Sequence, residues 1–312
     1  MKNTRVLTEG AIIAALFAIL LFLTLYLPII GSIVIWLLPI PFIVYVYRHG
    51  LKAGLILWFV AFFVSFIIGG LLVLPLTLMF GSGGIVVGEL YRRKKSAFAV
   101  LLGGSLTYIA NLLLSFIASI VLFGIHPIEA IQEMMLQSIA TAEGMLGAVG
   151  QESTEQLQPM YDMIDQLIHL APVMLIVTGI GFALIIQLIA SVVLRRLGGQ
   201  VEPLPRFREW RFPRSFLWYY LAVSLFIIIG VEEGSTLYVV VWNLFPILEI
   251  AMTIQGLALI FYYFHVKKVS KAVPIIILIL GFVIPFLLYL IRILGIIDLG
   301  FDLRKRMESQ EK

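Results

Sequence analysis

Cysteine is absent from all 312 residues. That excludes disulfide staples, thiolate metal sites and thiol nucleophiles, but says little about compartment. Charge is the next scarcity. Only 13% of residues are charged, about half the roughly one quarter usual in soluble domains. With 61% hydrophobic residues and a mean hydropathy of +1.07, the chain has too little polar surface to clothe a water-soluble globule. Lipid is the solvent for most of it.

Catalytic signatures are missing as well. His49, His126, His169 and His265 are scattered and form no His-Glu-x-x-His box. The runs Gly81-Ser82-Gly83-Gly84 and Gly103-Gly104-Ser105 lack the Lys followed by Ser or Thr that a phosphate-cradling loop requires. The first of them also lacks the offset of a rhomboid-type nucleophile. Glu232-Glu233 has no Arg at the spacing used by intramembrane proteases with paired glutamates. The expectation is a protein that is not an enzyme and carries no cofactor or metal. Any ATP-driven step would need its nucleotide bound on another polypeptide. No aromatic-interleaved basic stripe occurs outside the membrane edges, so no nucleic-acid partner is expected. The net charge of +4 is read as orientation and contact with anionic headgroups.

What basic charge there is falls in an ordered pattern. Up to residue 200, Lys and Arg occur only at Lys2 and Arg5, Arg48 and Lys52, Arg92 to Lys95, and Arg195 with Arg196. Cytoplasmic loops of inner-membrane proteins collect these residues, so each cluster marks a return to the cytoplasm. Gly124 to Leu170 carries seven acids and no Lys or Arg, and is expected outside. Three out-and-back excursions give a six-helix unit with both ends inside, in a bacterial cytoplasmic membrane. The start resembles a signal peptide superficially, but its apolar run is close to span length and lacks a good small-x-small site. It is read as an uncleaved first helix.

At about 20 residues per span, helices are predicted at 9–27, ending before Pro28, and at 31–47, interrupted by Pro39 and Pro41. Two more share 52–89 and turn near Gly69 and Gly70. The fifth and sixth are predicted at 97–123 and 171–194. Within 124–170, Ile128, Ile131, Met135, Ile139, Ala142 and Leu146 recur at helical spacing, as do Leu157, Met160, Ile164 and Leu167. Two amphipathic helices are expected there, the first opening at Pro127 and the two joined at 147–153. Ser153 with Gln156 suits a capping box. Their stripes favour mutual packing over lipid or a ligand cavity.

The expected organisation is all-α. Residues 1–197 form the six-helix unit with its insertion at 124–170, 198–214 a proline- and arginine-rich cytoplasmic linker, 215–300 about three further transmembrane helices, and 301–312 a charged tail. Helices are predicted at 215–230 and 236–264, around an outer Glu232-Glu233 turn. From Lys271 to Arg304 there is too little chain for two full spans. Either one span carries the tail outward, or the segment breaks at Pro285 and returns.

On the first helix, Ala11 with Ala15 and Ala14 with Ala18 form small-xxx-small pairs, which let another helix approach closely. Polar residues inside spans are costly and draw attention. Asn111, Ser115 and Ser119 recur every four residues on one face of the fifth helix, and Tyr108, Thr178 and Gln187 could join them. Alternatively, the hydroxyls bond back to their own helix and Asn111 joins two helices. Glu249 and Arg292 are intramembrane charges, read as a buried pair ahead of proton coupling. Helix rise places them ~22 Å and ~30 Å from the inner ends of unbroken helices. Glu89 beside Arg92 and Arg93 is read as an interfacial ion pair.

The run Leu7-Thr8-Glu9-Gly10-Ala11, the Pro39-Ile40-Pro41 interruption and the return Arg48-His49-Gly50-Leu51-Lys52-Ala53-Gly54 resemble the substrate-binding S-components of energy-coupling-factor vitamin transporters. That likeness covers about residues 5–197. The whole chain resembles the YybS-like family of uncharacterised bacterial membrane proteins, which carries such a unit plus extra helices. The S-component resemblance implies that Ala11, Ala14, Ala15 and Ala18 dock on a membrane coupling subunit that works with an ATPase. It also implies a small-molecule ligand near Asn111, Ser115 and Ser119. The long fifth-to-sixth connection and the final third depart from an ordinary S-component. Three readings therefore stand: a substrate-binding transporter subunit with a separate energising partner, a non-transport scaffold or assembly factor reusing the fold, and an ion-coupled carrier using Glu249.

Overall fold

A computed structural model describes residues 2–148, 154–232 and 234–309. The expected joint and capping box at Ser153, and Glu233 of the outer turn, lie outside the described residues. Every regular element described is helical. This follows from long continuous apolar runs in a lipid solvent, where a helix satisfies every backbone N–H and C=O within its own segment. Helix α1 (Lys2–Tyr26) stops where Leu27 turns extended before Pro28. Helix α2 (Pro28–Val34), a 3-10 turn (Ile35–Leu37) and α3 (Ile40–His49) make one interrupted span. Helices α4 (Leu51–Gly69) and α5 (Leu74–Arg92) follow, then α6 (Ala97–Phe123), capped by Ser96 and closed by left-handed Gly124.

Helix α7 (Pro127–Ala148) opens at Pro127, and α8 runs without interruption from Thr154 to Arg196. The expectation of a separate amphipathic helix before the sixth span is thus corrected. The polar stretch and the span are one 43-residue helix, ~65 Å long. The helix continues through Pro172, which removes one rung of its ladder and crowds the carbonyl one turn earlier. Ile139 of α7 and Ile164 of α8 are buried together, flanked by Met135 and Tyr161. Gln132 adds a 2.9 Å bond to the Ile164 carbonyl, so these two stripes pack on each other. Tyr161 donates to Glu143 at 3.2 Å. Partial burial and that carboxylate push the phenol above its ordinary pKa.

Next come α9 (Ser215–Ile229), α10 (Thr236–Val266), α11 (Ala272–Val283), α12 (Pro285–Phe301) and α13 (Leu303–Ser309). Among the described residues seven helices are long and apolar enough to cross a membrane, six of them before residue 197. Helix α9 has only 15 residues, ~22 Å of helix against a hydrocarbon core of about 30 Å. Helices α11 and α12 are bent by 120° at their junction. Pro285 forces Ile284 into extended backbone (φ −116°, ψ 100°), so of the two sequence alternatives the break is the one observed.

The chain divides into two compact units, Met1–Asp165 with Met174–Leu204, and Gln166–Val173 with Pro205–Lys312. In the first, Phe17, Phe42, Val46, Phe80, Val87, Tyr108, Ile186 and Leu194 form a continuous core. Helices α3 and α5 cross closely at Gly84 and Gly88. A Cβ on Gly84 would meet the Pro39 carbonyl oxygen at 2.7 Å, and one on Gly88 the Ile43 oxygen at 2.8 Å. In the second unit Met252, Ala251 and Leu299 anchor α10 to α12, with α9 alongside through Leu217 and Tyr220. Residues 205–214, the larger part of the linker expected at 198–214, belong to this unit, as does α13 in the segment read as a charged tail. Both are held by ion pairs described below.

Candidate functional site

The six candidate ligand residues do not converge on one cavity. Tyr108 is fully buried, and a Cβ on Gly83 would fall 2.3 Å from its ring. Its ring lies 6.4 Å from Phe80 and 6.1 Å from Phe182, and Phe182 lies 5.1 Å from Trp36. Aromatic rings therefore fill the interior at this level. Asn111 donates to Ser82 Oγ at 2.8 Å and to its own helix at the Thr107 carbonyl at 2.7 Å. Its amide ties α6 to α5. Gln187 is buried too, but it donates to the Ala97 carbonyl at 2.7 Å. That places it at the Lys94–Lys95 end, fourteen residues along α6 from Asn111, ~21 Å. Thr178 is exposed.

Ser115 and Ser119 line an open groove of about 600 Å³ between α6 and the start of α5. Leu71, Leu74, Leu78 and Leu122 make its walls largely apolar. Ser119 donates to the Ile125 carbonyl at 2.9 Å, closing the end of α6.

The alanine face of α1 is split. Ala14 packs partly on the core and, with Gly10, Ala11 and Tyr45, lines a narrow crevice of about 230 Å³ beside α4. Ala18 is half-buried, whereas Ala11 and Ala15 are exposed. At this end Glu9 accepts from Arg48 and lies 2.8 Å from His49 Nε2. Tyr45 donates to the Val6 carbonyl at 3.1 Å. Two runs quoted for the S-component likeness, 39 residues apart, thus meet through Glu9. Glu89 is bonded by Arg92 at 2.7 and 2.8 Å and by Arg93 at 2.7 Å.

In the second unit Glu249 of α10 and Arg292 of α12 form an ion pair. The depth estimate for Arg292 assumed an unbroken helix. The chain instead climbs ~18 Å in α11 and turns back, bringing Arg292 down towards Glu249. The crossing is tight: a Cβ on Gly256 would meet the Ile291 oxygen at 1.9 Å, and one on Gly295 the Met252 oxygen at 1.9 Å.

Beyond this crossing lies a polar cluster that the sequence reading missed. Asp298, 1% exposed, accepts from Gln255 at 2.6 Å and from Arg304 at 3.1 Å. Gln255 also accepts from the Phe212 backbone at 2.9 Å, and Arg304 donates to the Arg208 carbonyl at 2.9 Å. Asp302 is gripped by Arg211, by Arg214 at 3.0 Å and by Lys305 at 3.3 Å. Burial disfavours its charge, but the bonds from Lys305 and Arg211 outweigh that and hold the carboxyl below its ordinary pKa. The available signal was two acids four apart, Asp298 and Asp302, followed by Arg304.

The family model described as "Predicted membrane protein (DUF2232)" matches residues 15–299. The chain belongs to this family. It is 36% identical over 310 residues to the "Uncharacterized protein YybS" of Bacillus subtilis (strain 168), covering 99% of this chain and all of that one. No solved structure matches. The match spans both compact units, so the clamp on Asp298 and the α10–α12 crossing lie within the family's shared length. The chain is an integral, multi-pass membrane protein of an uncharacterised family.

Proposed function

We propose that the protein is a non-catalytic scaffold or assembly subunit of a membrane complex, which binds its partner through the Ala11 and Ala15 face of α1. The observation that carries this is the filled interior. Tyr108, Phe80 and Phe182 occupy the level at which the resemblance would put a ligand, and Asn111 is spent on a helix-to-helix bond. The pairing of Glu249 with a guanidinium likewise argues against a proton carrier. Small residues exposed on an otherwise apolar helix favour close approach of a second helix in lipid. The basic clusters support a cytoplasmic N-terminus in the bacterial inner membrane.

The test is Ala11→Leu and Ala15→Leu in the full chain. Cross-linking to, or co-purification of, partners should weaken by roughly fivefold or more, because about a kcal/mol of close packing with the partner goes, while the melting temperature of the protein alone holds. Unchanged partners with unchanged melting would mean the face only meets lipid, and the reading fails.

A second reading, the substrate-binding subunit with a separate ATPase-driven partner, is favoured by the groove at Ser115 and Ser119. It requires a small molecule released on denaturing the purified protein, and its loss in a Ser115→Leu variant.

A further inference from the structure

The basic end of the second unit holds a pocket of about 690 Å³ between the 206–208 segment, the end of α10 and the start of α11. Its rim carries Arg206, Arg208, His265, Lys268 and Lys271. Neighbouring cations are already committed, Arg211 and Arg214 to Asp302 and Arg304 to Asp298. Among the described residues Arg206, Lys268 and Lys271 make no ion pair, while Arg208 lies 3.9 Å from Glu209. Lys271 is also the residue before the first turn of α11, where the helix dipole adds positive potential. No acid contributes to the lining, so apart from Glu209 beside Arg208 the pocket concentrates positive charge with no anion to balance it.

The floor is of a different character. Phe261 and Phe264 line it, and Phe264 is also a wall of a second, almost wholly apolar groove of about 700 Å³. Ile277 of α11 and Leu287, Leu290 and Leu294 of α12 line that groove, which exists because the chain reverses at Pro285. A soluble anion would use the rim alone. The joint arrangement of cationic rim and apolar groove matches an amphiphile.

We propose that this pocket binds the phosphate headgroup of an anionic phospholipid, with an acyl chain along the α10–α12 groove. Basic pockets between transmembrane helices are suited to such headgroups, and both volumes fall in the range of about 300–1,000 Å³ usual for ligand sites. The site does not involve the α1 face and stands apart from the docking proposal.

Native mass spectrometry of the full chain in detergent tests it, with phosphatidylglycerol and phosphatidylcholine of identical chains as probes. Phosphatidylglycerol adducts should outlast phosphatidylcholine adducts. Lys268→Ala with Lys271→Ala should reduce their retention, by roughly fivefold for each charge removed, with melting unchanged because both side chains are exposed. Lys94→Ala with Lys95→Ala, an exposed basic pair elsewhere, should leave retention unaltered. Equal retention of both lipids, or an equal loss in the Lys94/Lys95 control, would overturn the site. Complete displacement by excess inorganic phosphate would overturn the lipid assignment in favour of a soluble anion.

Discussion

Glu249 and Arg292 each lie well inside an apolar helix, where an unpaired charge costs several kcal/mol. Their side chains are 24% and 18% exposed, and at that depth the uncovered part faces lipid, which does not solvate charge. Removing one partner strands the other. For a pair taken out of water that costs about 3–5 kcal/mol. Glu249→Gln and Arg292→Met should each lower thermal stability more than the double variant does. Equal melting of all three would show that the contact contributes nothing. This pair was legible in the sequence because a charge in an apolar run needs company. The Asp298 cluster was not, since its partners come from α10, α13 and the segment before α9, separated by 43 residues or more except for Arg304.

Close helix crossings decide the packing of both units. Where Gly256 meets Ile291 and Gly295 meets Met252, even a methyl group has no room. Gly256→Ala should therefore destabilise by about 1–3 kcal/mol through overpacking. Gly181 of α8 has nothing within 4 Å of a Cβ position, so Gly181→Ala should be neutral or stabilise by up to ~1 kcal/mol through helix propensity. Thermal melts of the two variants in one detergent give the comparison, and similar shifts would refute the crossing argument. The alanine pairs of α1 were visible as a motif. Gly84 and Gly88 on α5 have the same spacing, but only the structure shows α3 seated on them, because in an apolar helix every face looks alike.

For the whole molecule, alternation of basic clusters with apolar spans makes a topology that can be tested on a chain without cysteine. Glu129→Cys should react with an impermeant thiol reagent from outside intact cells, whereas Lys95→Cys and Ser270→Cys should react only after permeabilisation. Labelling of Glu129→Cys from the cytoplasmic side alone would invert the model. Ser270 bears on the final third, where the return at Pro285 brings α12 and the Asp302 clamp back towards the basic end of α10.

Composition and charge order determined that this chain is a helical membrane protein with six spans before residue 197, because continuous apolar runs of about 20 residues cross lipid as helices that satisfy their own backbone hydrogen bonds. The break at Pro28 was equally local, since proline forces the residue before it out of helical backbone, whereas at Pro285 the sequence left a continuous span and a break both open and the structure chose the break. What only the tertiary structure decided is which residues meet. Tyr108 fills the interior and Asn111 joins two helices, while Gln187 lies far along the bundle and residues 205–214 and 303–309 close on Asp298 and Asp302. Those outcomes depend on how each helix is rotated about its axis. A helix apolar on all sides carries no periodic signal of the face it turns inward.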